Sequence, residues 1–154
     1  MSTKTVFRGA LDEPEVRRFI DNTVIPLKVS VLTESGWPLL CSLWVIQEGD
    51  SLLLATQREA KVVQCLLRDP RCAFELSSEQ PPYVGIRGRA LAEIDQQRGA
   101  EILDLALTRY LGDLTSPLAN RLRAKVATEV AIVLKPTVIY SWDFTERMRL
   151  SAKA

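Results

Sequence analysis

Histidine is missing from these 154 residues. That excludes Ser-His-Asp and Cys-His nucleophiles, histidine-ligated haem and any imidazole acid or base. Cysteine is scarce: Cys41, Cys65 and Cys72 are odd in number and form no C-x-x-C pair. Neither a disulfide framework nor a zinc site is supported, and buried reduced thiols are expected. No apolar run approaches the ~20 residues that span a bilayer. The opening "MSTKTVFRGALDEPE" lacks the apolar core of a signal peptide, so a cytoplasmic location is expected. Neither sign of charge dominates. With 20 basic and 19 acidic residues the net charge is +1, which implies no general affinity for nucleic acid or an anionic membrane.

What remains is the composition of one folded domain. Hydrophobic residues make up 47% and charged residues 25%, which favours a globular chain over a disordered one, and the length suffices for one real core. Carboxylates such as Glu101 and Asp104 stand at helical spacing and read as a solvated face. Any redox or transfer chemistry is therefore expected from a cofactor.

Periodicity gives the order of elements. Asp12 can cap a helix "EPEVRRFIDNTVI", with Val16, Phe19, Ile20 and Val24 near one face. "LKVSVLTE" alternates, "ESGW" turns, and "PLLCSLWVIQE" is apolar on both faces, which predicts a central strand. After the turn "EGDS" comes the apolar strand "LLLAT". Thr56-x-x-Glu59 then has capping-box spacing, with Arg58 as the second helical residue and Pro70 closing the helix. "RCAFELS" alternates again. "YVGIRGRALAEI" keeps period 2 for a dozen residues, a length that suits a strand bending around a barrel at Gly85 and Gly88. A helix "QQRGAEILDLALTRYLG" ends at Gly112, Ser116-Pro117 starts a short one, and "TEVAIVL" is interrupted at Pro136 before "TVIYSW". The fold class is mostly β with helical insertions (α+β), an antiparallel barrel of about six to seven strands in a single domain, residues 1–154.

Arg58 and Lys61 sit at the helix end where backbone N–H groups and the macrodipole are already positive, a placement unfavourable by ~0.3–1 kcal/mol unless an anion joins them. A solvated charged face with Glu59 offsetting Arg58 is the plainer reading of that stretch. Trp44 reads as core or as a platform for a flat ligand. Arg87 and Arg89 share a strand face that suits solvent, a dimer rim or an anion site.

Gly36-Trp37-Pro38, "LLAT" leading to Lys61, "LLRDPRCAFEL", "YVGIRGRA", and Pro136 six residues before Trp142 follow one another in order. This ordered set resembles the FMN-binding split barrel, the family of pyridoxamine phosphate oxidase and its smaller relatives, over roughly residues 14–144. The resemblance implies a homodimeric flavoprotein oxidoreductase acting on a small molecule. Lys61 and neighbouring basic and hydroxyl groups would hold the FMN phosphate, with Ala55 and Thr56 at the strand end. The backbone from Cys41 to Val45, including Ser42, Leu43 and Trp44, would border the ring. Tyr83 and Trp142 match positions that the partner subunit supplies in the oxidases. Ala60 stands where the family carries arginine before the lysine, which leaves Arg58 to substitute. A deazaflavin, the cofactor of sister subfamilies, is the alternative, and a non-catalytic flavin-binding or flavin-sensing module is the reading from another class. A true pyridoxamine phosphate oxidase is not expected. Those enzymes hold substrate phosphate partly through Arg-x-His after the tryptophan, and here the chain after Trp142 reads "DFTERMRLSAKA".

Overall fold

Alternation along the chain becomes alternation of burial. In the longest of the uninterrupted period-2 segments, Ile86, Gly88, Ala90 and Ala92 point inward while Arg87, Arg89, Leu91 and Glu93 point out. The structure, a computed structural model, describes residues 3–152, so the last two residues of the tail lie outside it. Its strands are β1 (Val6–Gly9), β2 (Leu27–Leu32), β3 (Pro38–Leu43), β4 (Val45–Glu48), β5 (Ser51–Gln57), β6 (Arg71–Ser77), β7 (Val84–Asp95) and β8 (Glu129–Asp143). The helices are α1 (Glu13–Asn22), α2 (Lys61–Arg68), α3 (Gly99–Leu111), α4 (Pro117–Arg123) and α5 (Thr145–Ala152), with a 3-10 turn at Val126–Thr128. None of the described helices is long and apolar enough to cross a membrane.

The strands run β3-β2-β6-β7-β8-β5-β4, each antiparallel to the next. β3 and β4 are consecutive in the chain with only Trp44 between them, so the two ends of this path meet there. The expected central strand 38–48 is thus two short strands, each paired along one edge only. Its two-faced apolar pattern has a different source: Leu40, which points outward, is 67% exposed.

β8 explains why Pro136 can sit inside a strand. The first half of β8 pairs with β5, and the second half pairs with β1, the one parallel neighbour, which the sequence did not reveal. Pro136 lies at this handover, where the β7–β8 register also shifts, Ala90 facing Pro136 and Arg89 facing Val138. A residue without an N–H is tolerated at such a bulge, so the strand continues through it. Gly85 and Gly88 make room for two aromatic rings. A Cβ at Gly88 would lie 2.5 Å from the Phe74 ring, and one at Gly85 would lie 2.3 Å from the Trp142 ring.

The helix starts show which local signals survive. Asp12 caps α1 as the sequence implies, accepting from Glu15 N–H (2.9 Å), and the structure adds the reciprocal bond, the Glu15 carboxylate accepting from Asp12 N–H (2.8 Å). Ser116 caps α4 through Ala119 N–H, and Gly112 ends α3 at φ 69°. The box at Thr56 does not form. Thr56 and Gln57 stay in the sheet opposite Val130 and Glu129, Arg58 and Glu59 make a turn, and α2 starts at Lys61 after Ala60 without a side-chain cap. Ladder pairing outweighs a cap worth ~1 kcal/mol. α1 also ends earlier than its pattern, at Asn22, because Pro26 disfavours helix at Ile25. Arg109 closes that end through the carbonyls of Ile20, Asp21 and Thr23. Of the three thiols, Cys65 and Cys72 are buried and Cys41 partly so, and all are free. Burial pushes the Cys72 thiol up to about 11.

Candidate functional site

The β3–β4 junction is where the barrel seam and the helical insertion come together. α3 lies over β5 and β8 because Gly99 lets it approach: a Cβ there would be 2.1 Å from the Glu129 carbonyl oxygen. Arg98, just before α3, bonds Glu48 of β4 (3.0 Å) and Glu101 (2.9 Å), tying the helix to the seam. Tyr110 at the far end of α3 donates to the Ile25 carbonyl (2.8 Å), accepts from Val45 N–H (3.2 Å) and stacks on Trp44, with centroids 5.2 Å apart at 9°. The interruption of the strand at Trp44 is thereby held in place, and the ring serves as packing for α3 as well as a wall of the cavity beside it.

That cavity has a volume of about 490 Å3. Ser42, Leu43 and Trp44 form one wall with Ala55, Thr56 and Gln57 of β5. Leu103 and Ala106 of α3 and Leu118 and Leu122 of α4 form the opposite one. Polar groups gather at one end: Arg121 on α4, Lys125 beyond it, and Glu129 at the start of β8. Arg121 and Lys125 make no ion pair among the described residues, whereas Arg123, on another face of α4, bonds Asp104 (3.1 Å). Glu129 is buried. Desolvation raises its carboxyl above the ordinary 4.5, and the hydrogen bond from Gln57 pulls the other way.

Five of the nine residues that the sequence singled out therefore meet: Ser42, Leu43, Trp44, Ala55 and Thr56. The other four do not line this cavity. Lys61 is exposed at the first position of α2, and Arg58 sits in the preceding turn, its Nε donating to Gln96 Oε1 (3.1 Å). Tyr83 is exposed in the loop before β7. Trp142 is half-buried over Gly85, with the Arg87 guanidinium 6.0 Å from its ring centroid. Sequence reasoning missed Gln57, Arg121, Lys125 and Glu129. A signal for two of them was present, since Leu118, Arg121, Leu122 and Lys125 share helical spacing. Glu129 and Gln57 meet only through the β5–β8 ladder, which no local pattern shows.

Such an arrangement can seat a flat, partly apolar molecule between strand backbone and helix side chains, with its polar part toward Arg121, Lys125 and Glu129. Among the described residues no group of three His, Cys, Asp or Glu side chains could hold a metal ion.

No family model and no curated protein matches the sequence. Solved structures do match in shape. A conserved hypothetical protein from Mycobacterium tuberculosis aligns with TM-score 0.75 at 21% identity, over 92% of this chain and 90% of its own. An F420 reductase aligns at 0.71 and 20% identity, over 84% and 98%. The chain has the split-barrel fold. A Listeria innocua protein assigned as a pyridoxamine 5'-phosphate oxidase shares this barrel with TM-score 0.60 at 12% identity, over 80% of this chain and 92% of its own. At these identities it is the split barrel that is shared, and the residues of the site must be argued from this chain.

Proposed function

We propose that this split barrel binds FMN as a homodimeric oxidoreductase of the pyridoxamine phosphate oxidase-like class. The observation that carries the reading is the cavity at the β3–β4 junction, which gathers Ser42, Leu43, Trp44, Ala55 and Thr56 around an apolar slot. FMN, when bound, supplies the hydride-accepting chemistry that no amino-acid side chain offers. The protein's own part is to bind and orient. Leu103, Ala106, Leu118 and Leu122 keep water from one face of the slot, and the strand backbone offers hydrogen bonds along the other. Lys61, at the N-terminus of α2 where no side chain caps the backbone, is the proposed phosphate contact, with Arg58 in the turn before it. The F420 reductase among the structural neighbours favours a deazaflavin as the second reading.

The dimer is proposed to form through the outer face of β3, β2, β6, β7 and β8. There Leu40 and Tyr140 are exposed beside Lys28, Glu75, Arg87 and Arg89, charges of both signs that suit a two-fold contact. Sedimentation should give a dimer at micromolar concentration for the parent and a monomer for Leu40→Glu. A parent that sediments as a monomer with cofactor bound removes this part of the proposal. Pyridoxine phosphate is not the proposed substrate. Downstream of Trp142, Arg149 faces Glu146 at 4.0 Å and Arg147 lies 5.7 Å from the Phe144 ring centroid, and none of residues 143–154 is histidine. Turnover of pyridoxine phosphate with FMN and oxygen should stay below the ~10⁴ M⁻¹ s⁻¹ of ordinary enzymes. The test of the central reading is the visible absorbance and mass of the molecule that co-purifies. A flavin or deazaflavin spectrum supports it, and a protein that neither carries nor takes up either one overturns it. Turnover with a nicotinamide donor then separates an enzyme from a flavin-binding module.

A further inference from the structure

Glu129 is 8% exposed, opens β8 and lines the cavity beside Gln57, its partner across the ladder. Gln57 is fully engaged. Its Nε2 donates to the Lys125 carbonyl (3.2 Å) and to Glu129 Oε1, and its Oε1 accepts from the Thr128 hydroxyl. This network holds the Glu129 carboxyl in one orientation and has no donor left to offer. The second carboxyl oxygen, Oε2, is buried and has no partner among the described residues. Around the cavity the other charged side chains are Arg121 from α4 and Lys125 from the segment after it, while β3, β5 and α3 contribute only neutral ones. A buried carboxylate oxygen without a partner is destabilising until a donor reaches it.

We propose that Glu129 is a ligand-binding residue whose Oε2 accepts a hydrogen bond from an N–H or O–H group of the molecule that enters the cavity. The inference deepens the flavin reading and rests on it for the choice of probe. Flavins and deazaflavins carry both kinds of donor, an imide N–H on the ring and hydroxyls on the side chain. Riboflavin shares these with FMN, so loss of Glu129 acts on both alike, unlike loss of a phosphate contact.

Two consequences follow from the charge. Binding uses the carboxylate, so affinity falls as acid protonates it, in a range that burial holds above 4.5. In ligand-free protein the folded carboxyl holds its proton more tightly than the unfolded one. Glu129 therefore lowers stability as pH rises from about 4.5 through its raised value, and the cost is complete above that value.

Glu129→Gln keeps the shape and the Gln57 contact but removes the charge. Fluorescence titration near pH 8 should show FMN and riboflavin both weakened about ten- to a hundredfold, without the parent's loss of affinity in acid. Affinity within about twofold of the parent would overturn the proposal. Thermal melting of the ligand-free proteins needs no probe. The variant should melt at or above the parent near pH 8, with the advantage shrinking toward about pH 4. A variant that melts below the parent near pH 8, or fails to fold, shows that the carboxylate serves the fold and overturns the proposal. If the parent binds neither flavin, the flavin reading falls, and melting still decides for what Glu129 is kept.

Discussion

The hollow on the outer face of the sheet, about 590 Å3, is larger than the cavity under α3 and α4, about 490 Å3. Its Arg87 and Arg89 are exposed strand positions, and Arg87 already has an aromatic face, Trp142, beside it. None of its lining side chains has a buried polar atom without a partner, among the described residues. The smaller cavity has one, on Glu129. Volume does not separate a binding site from a surface that another chain can cover. An unpaired carboxylate oxygen on a residue that lines a cavity is the better mark, because its cost is recovered when a donor arrives.

That contrast can be broken by blocking one hollow and leaving the other open. Leu118 is 43% exposed on the cavity wall, so Leu118→Trp fills the slot without overpacking the core. FMN affinity should fall at least about a hundredfold, ~2.7 kcal/mol, while Arg89→Ala on the outer face leaves it within about twofold. The reverse pattern would move the ligand to the outer face. Next in size is the effect of moving the wall. Gly99→Ala sets a methyl group against the Glu129 carbonyl, and should cost about 1–3 kcal/mol in denaturant unfolding, with FMN affinity falling as α3 lifts. Unchanged stability would mean that α3 is not held by this close approach.

Lys61→Ala sharpens the comparison from outside the cavity. It should weaken FMN about ten- to a hundredfold and leave riboflavin alone, because a charge-assisted contact contributes roughly 1.5–3 kcal/mol and only FMN carries the phosphate. Equal loss of both ligands would return Lys61 to a solvated face. Arg58→Ala should have a smaller effect than Lys61→Ala, under about 1 kcal/mol, since its Nε is already bonded to Gln96 at an exposed turn. A loss as large as that at Lys61 would show that Arg58 swings in to replace the arginine missing at position 60.

Period and punctuation made most of the barrel legible. β2, β6 and β7, the Asp12 cap, the Ser116 start and the Gly112 stop are all local patterns, and the structure keeps them. The misses are places where partners distant in the chain decide. Thr56 loses its capping role to a ladder with Val130, residues 38–48 divide because their two halves pair at opposite ends of the sheet, and Pro136 survives because β8 changes neighbours there. The site divides in the same way. Ser42 to Trp44 and Ala55 to Thr56 could be read from two short segments. Glu129 reaches them only after β8 has paired with β5, as a carboxylate at the head of the apolar run Val130 to Leu134.

The most direct measurement is a crystal structure of the protein soaked with FMN. The ring should lie between the Ser42–Trp44 segment and the α3–α4 wall, with a ring N–H or side-chain hydroxyl within hydrogen-bond distance of Glu129 Oε2. FMN bound on the outer face between Arg87 and Arg89, or in the cavity with Glu129 Oε2 still unpartnered, would contradict this account.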